Sequence, residues 1–178
     1  MSAPKQVAVM RDAFQTIIDR FAPDSERLML FTTFNFEPRF FESNLLPLLA
    51  GDTVADLAGV SETRHAINEE LKKIRVLVVN DRSTRPEPKG DMRYGCLSLG
   101  LPKGRFHPKL MLMAGTLKDT GQPGLWLAVG SGNLTLSGWA RNREIVGATP
   151  VTPQHAAELS LLLRWLLAQA QQQLDGVD

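Results

Sequence analysis

Three short stretches hold side chains that could act together on a phosphodiester. His107-Pro108-Lys109 opens an apolar run, and residues i and i+2 of an extended chain share a face, so the imidazole and the ammonium are neighbours. An imidazole is a competent nucleophile, and a fixed cation beside it neutralises phosphate charge as it approaches. Taken alone, a His two residues before a Lys is most often a surface accident. Gly130-Ser131-Gly132-Asn133-Leu134-Thr135 follows the next apolar run. Its small residues let backbone N–H groups approach an anion, and Ser131 and Asn133 add side-chain donors. A helix starting nearby would add its dipole, although by itself the run reads equally well as a tight turn. Asn142-Arg143-Glu144 is the third stretch. On a strand predicted over 142–148, Asn142 and Glu144 face one way, and a carboxylate bonded to the far nitrogen of a catalytic imidazole holds its tautomer. The bland alternative is a solvated edge strand.

The elements that must position these residues follow from hydrophobic spacing. Val7, Met10, Phe14, Ile17, Ile18 and Phe21 recur at helical intervals, predicting an opening amphipathic helix over 5–21. Leu28–Phe36 reads as a strand. Pro38 suits the first turn of a helix through FFESNLLPLLA, with Pro47 as a kink or early end and Gly51 as a stop. A helix is predicted over Glu62–Lys73, then a buried strand over Ile74–Val79. Asn80–Gly104, rich in Pro, Gly and charge, reads as irregular. Phe106–Met113 and Leu125–Val129 read as strands joined by a long turn, GTLKDTGQPG. Thr152 and Pro153 form an N-cap and first-turn pair for a last helix to about Leu174, apolar around more than one face. The pattern predicts an α/β fold, a mixed β-sheet flanked by helices on both faces, in a single domain spanning 1–178 with 153–175 as its terminal helix.

Composition narrows the function classes. The 178 residues are 43% hydrophobic and 22% charged, an ordinary globular balance. A formal net charge of +1 argues against a histone-like polycation but leaves room for a local basic groove. Between Arg82 and Lys109 the basic residues Arg82, Arg85, Lys89, Arg93, Lys103, Arg105 and Lys109 face only Glu87 and Asp91, so positive charge leads directly into the His107 motif. One cysteine, Cys96, makes no intramolecular disulfide and reads as a small buried residue. His65 and His155 read as solvent-facing, and three scattered histidines give no metal-ligand spacing. Trp126 and Trp139 read as core. With no signal-like leader and no apolar run of membrane length, a cytoplasmic location and no membrane partner are expected.

The ordered set H-x-K, apolar strand, turn, apolar strand, G-S-x-N, N-x-E resembles the phospholipase D superfamily. Asn133 to Glu144, NLTLSGWARNRE, is similar to that family's pattern in residue type and spacing. FTTFNFEPRFFESNLLPLL also looks like the opening of phospholipase-D-like nuclease domains in bacterial restriction and phage-defence proteins. The resemblance spans roughly Leu28 to Ala148. It implies a phospholipase D-like α-β-α sandwich and a phosphodiesterase that needs no metal and no cofactor and works through a covalent phosphohistidine. Carried over by position, His107 is the nucleophile, Lys109 and Asn133 hold phosphate oxygens, Ser131 donates to the phosphate or to the motif, and Glu144 orients His107. The family mechanism uses two H-x-K motifs and this chain has one, which implies a homodimer with both His107 side chains at one site. Expected partners are nucleic acid, DNA before RNA, a second copy of the chain, and further defence proteins. One position departs: the family's Asp seven residues after the His is Ala114 here, while Asp119 lies later in the turn. That loss keeps an alternative open, a catalytically weakened module that binds nucleic acid or mediates assembly.

Overall fold

The computed structural model describes residues 5–49, 61–84 and 93–175. Their strands form one mixed six-stranded sheet: β1 (Arg27–Thr33), β2 (Ile74–Asp81), β3 (Gly95–Leu99), β4 (Leu110–Thr116), β5 (Pro123–Gly130) and β6 (Val146–Pro150). The spatial order is β3-β2-β1-β4-β5-β6. β1, β2 and β3 run parallel, while β4, β5 and β6 each run antiparallel to the preceding neighbour in that order. One geometric result follows. The C-terminal ends of β1, β2, β3 and β5 and the N-terminal ends of β4 and β6 all lie along the same edge of the sheet.

Alternation along the strands separates two faces. Met29, Phe31, Val76, Val78, Met111, Met113 and Ala128 point to one side and are buried. Against them pack Phe14, Ile17 and Ile18 of α1 (Lys5–Ile18), the helical run α2 (Pro38–Phe40) to α3 (Leu46–Leu49), and Ile67 of α4 (Ser61–Glu70). Trp139 completes this core, edge-on to Phe14. The opposite face holds a smaller cluster of Val79, Leu99 and Phe106, closed by Leu162 and Leu166 of α5 (Pro153–Asp175). α5 covers that face incompletely, leaving Leu28 51% and Val129 53% exposed. Helices therefore flank both faces, as the sequence pattern predicts.

Several boundaries differ from the sequence expectation, each for a local reason. Pro38 starts α2 as expected, but between α2 and α3 the chain widens into a π-helical turn, Phe41–Leu45, with the Leu46 N–H donating to the Phe41 carbonyl. The wider turn precedes Pro47, which cannot donate its own bond, and the helix continues through it. The expected stop at Gly51 lies outside the described residues. A strand, β3, occupies part of the stretch read as irregular. It is short, holds Gly95 and Ser98, and finds its place only through parallel pairing with β2. It lies at the sheet edge, which leaves Cys96 exposed rather than buried. The strand expected over 142–148 is β6, but it starts only at Val146, so Asn142 and Glu144 precede it and do not share a strand face. β4 likewise begins at Leu110, three residues after His107. Among the described residues no helix is long and apolar enough to cross a membrane.

Candidate active site

The shared sheet edge gathers the three sequence stretches. His107-Pro108-Lys109 enters the N-terminal end of β4, Ser131-Gly132-Asn133 leaves the C-terminal end of β5, and Glu144 lies just ahead of β6. Two adjacent threonines at the end of β1 tie them together. The Thr32 hydroxyl donates to the Pro108 carbonyl at 3.1 Å and accepts the Leu110 N–H at 3.1 Å, bracketing Lys109. Lys109 in turn accepts the Gly130 N–H through its carbonyl at 3.0 Å. Thr33, fully buried, donates to the Asn35 carbonyl at 2.7 Å and accepts the Leu134 N–H at 3.0 Å.

The Asn133 amide is oriented by this turn. Its Oδ1 accepts the Asn35 N–H at 3.1 Å and lies 3.3 Å from the Thr33 hydroxyl, so the oxygen faces protein donors and the NH2 group remains for an anion. Ser131 spans to the third stretch: its hydroxyl donates to Glu144 Oε2 and accepts the Ile145 N–H at 3.0 Å, while the Ser131 N–H donates to the Ile145 carbonyl at 3.0 Å. Glycine at 138 permits the turn, because an added Cβ would sit 2.5 Å from the Asn133 carbonyl oxygen.

His107 is exposed, with its ring 4.9 Å, centroid to centroid, from half-buried Phe34. Lys109 Nζ lies 3.0 Å from His107 Nδ1 and 3.2 Å from Nε2, and donates to the His107 carbonyl at 3.1 Å. Burial lowers the Lys109 pKa below its ordinary value, while the Glu144 carboxylate partly offsets that effect. The burial has a visible source: Lys109 borders an apolar hollow lined also by Phe31, Met111, Leu134 and Trp139. Glu144 thus bonds with Ser131 and acts electrostatically on Lys109; the hydrogen-bond contacts of the His107 ring are with Lys109.

The remaining expectations fall as follows. Asp119 sits on the β4–β5 hairpin, at the far end of β4 from His107, and does not stand in for the motif Asp; Ala114 lies within β4, paired with Leu28 and Leu125. His65 and His155 are exposed and Trp139 is core. Trp126 is partly buried beneath the Arg20 guanidinium. Arg82 and Arg105 flank the same sheet edge, whereas Arg85, Glu87, Lys89 and Asp91 lie outside the described residues. Among the described residues no three His, Cys, Asp or Glu side chains gather to hold a metal ion. Sequence reading missed Thr32, Thr33, Phe34 and Asp81. The signal for Thr32, Thr33 and Asp81 was a polar residue at the end of an apolar strand, where a burial pattern predicts none; Phe34 gave no signal of its own.

This architecture, a mixed six-stranded sheet with helices on both faces, has counterparts among solved structures. It is similar to NucT from Helicobacter pylori, with a TM-score of 0.52 and 13% identity over 93% of this chain and 92% of that one. A second solved structure, the phospholipase D family member Nuc from Salmonella typhimurium, gives a TM-score of 0.45 and 14% identity over 89% and 87% of the two chains. No family model and no curated protein sequence matches this chain.

Proposed function

We propose that this chain is a phosphodiesterase of the phospholipase D superfamily, a nuclease that cleaves DNA without a metal, through a covalent phosphohistidine on His107. The observation that carries this reading is the convergence of His107, Lys109, Asn133, Ser131 and Glu144 on one sheet edge, with Asn133 Oδ1 taken up by Asn35 and Thr33.

In this mechanism Lys109 and the Asn133 NH2 group bind the non-bridging phosphate oxygens. A neutral His107 ring nitrogen attacks phosphorus, forming the P–N bond as the P–O bond to the leaving strand breaks. The departing oxygen takes a proton from a second imidazole. Water, deprotonated by that same imidazole, then attacks phosphorus and releases His107. The proton-donating imidazole is His107 of a second copy, in a homodimer that presents the same patch twice. One ring must be neutral while the other is protonated. Glu144, held by Ser131, balances the charge of Lys109 and serves to orient a histidine of the assembled site. Arg82, Arg105 and Lys103, on the segments that lead to His107, suit the flanking phosphates of a nucleic acid. The chain works as one domain over 1–178, in the cytoplasm, with a role in phage defence alongside further proteins.

Ala114 supports a second reading, a weakened domain that binds nucleic acid without cutting it. Cleavage of single- and double-stranded DNA in excess EDTA, comparing the parent with His107→Ala, separates the two. Cutting by the parent that the variant loses supports the nuclease. An inert parent that still binds DNA, with affinity falling steeply as salt rises, supports the binding module.

A further inference from the structure

We propose that Asp81 is a positioning residue for His107, holding the imidazole against Phe34. Asp81 ends β2, two strands from β4, and is 3% exposed. Its Oδ2 accepts the N–H of Phe106, the residue before His107, at 2.6 Å. Its Oδ1 accepts the Ser83 N–H at 2.8 Å and the Ser83 hydroxyl. Its own N–H donates to the Phe34 carbonyl at 3.4 Å. One buried residue therefore grips both backbone segments whose side chains, Phe34 and His107, lie in contact.

The segment 101–109 makes no strand pairing. After His107 it is held at the Pro108 carbonyl by Thr32 and at the Lys109 carbonyl by the Gly130 N–H; before His107 the Asp81 bond acts together with the Phe106 side chain, 1% exposed and stacked on Trp165 of α5. A side chain alone fixes a residue's burial but leaves its peptide plane to rotate; the carboxylate fixes the Arg105–Phe106 plane, so that the chain enters His107 from a held orientation. Arg105 Nη1 lies 3.9 Å from Oδ1 and keeps the carboxylate company in charge. An ionised carboxylate is also the one short side chain that can accept from Phe106 and Ser83 at once; an amide has a single acceptor oxygen and would turn its NH2 toward the other donor.

The inference rests on the reading of His107 as nucleophile, and its test has a readout independent of cleavage. In Asp81→Asn, the His107 ring resonances followed by heteronuclear NMR are expected to shift from those of the parent. On a DNA substrate kcat falls on the order of ten-fold or more while KM stays within about two-fold, as expected when a reacting group is misplaced without loss of binding. Ser83→Ala, which removes one donor to the same carboxylate but leaves the Phe106 bond, keeps the parent spectrum and rate. Phe34→Leu, which leaves the carboxylate intact, moves the same His107 resonances and serves if Asp81→Asn does not fold. A folded Asp81→Asn with unchanged His107 resonances overturns the proposal. A parent that cuts no DNA overturns the nuclease reading instead, and the resonances still decide whether Asp81 sets the imidazole.

Discussion

A methyl group added at Gly138 would meet the backbone of Asn133, 2.5 Å from its carbonyl oxygen and 2.8 Å from its nitrogen. Backbone cannot swing aside as a side chain does, so Gly138→Ala displaces Asn133, the proposed phosphate ligand. Overpacking of this kind costs about 1–3 kcal/mol, which a denaturant midpoint will report together with loss of cleavage. Thr33→Val keeps the shape but leaves the buried Leu134 N–H and the Asn35 carbonyl without their partner; we expect a loss of about 1–3 kcal/mol and a slower enzyme. Lys109 gives a prediction in pH. In the proposed mechanism it binds phosphate only while protonated, so activity is expected to end as pH rises through its pKa. Burial places that pKa below the ordinary 10.5, and Glu144 holds it up. Glu144→Gln therefore moves the alkaline limb of kcat/KM to lower pH; a limb that stays put or rises removes the coupling.

The elements explain which parts of this site could be read in advance. H-x-K and G-S-x-N are local strings next to apolar runs, and both lie at strand ends as the alternation implies. Glu144 was legible by spacing, but its strand was not: β6 starts two residues later, where antiparallel pairing with β5 begins at Gly130↔Val146. β3 escaped because its sequence, GCLSL, has no period of its own and depends on β2. Asp81 and Thr33 escaped for a deeper reason. A buried polar residue is defined by partners, and beside near ones at Ser83 and Asn35 theirs include Phe106 and Leu134, 25 and 101 positions away. Burial would raise the Asp81 pKa, but the Ser83 hydroxyl, the Phe106 and Ser83 N–H groups and Arg105 outweigh it, holding the carboxyl below its ordinary 3.8. Such a depressed pKa contributes stability that is fully present above the unfolded value and is lost as pH falls through the folded one. The stability gap between the parent and Asp81→Asn is therefore flat near neutrality and closes on acidification past about pH 4, measurable by urea unfolding at each pH.

At the scale of the whole molecule, the half-covered face is the surface on which the proposed second copy can be tested. Leu161 and Leu167 of α5 are 69% and 60% exposed, and Leu28 and Val129 are exposed on the sheet face that α5 covers. If a second copy supplies the other imidazole, specific activity falls on dilution, and Leu161→Asp with Leu167→Asp lowers both the sedimentation coefficient and the rate. Unchanged sedimentation in a fully active double variant removes this face from the assembly. The β4–β5 hairpin carries a different consequence. Its tip, around Gly121 with φ of +67°, is exposed and lies at the opposite end of the sheet from His107. A cut there leaves His107 and Lys109 on one fragment and Asn133 and Glu144 on the other, with the β4–β5 ladder as the seam between them. Each fragment is expected to be inert and the mixture to recover cleavage as the ladder re-forms. That makes the hairpin a point at which the activity could be divided between two polypeptides and switched on by bringing them together.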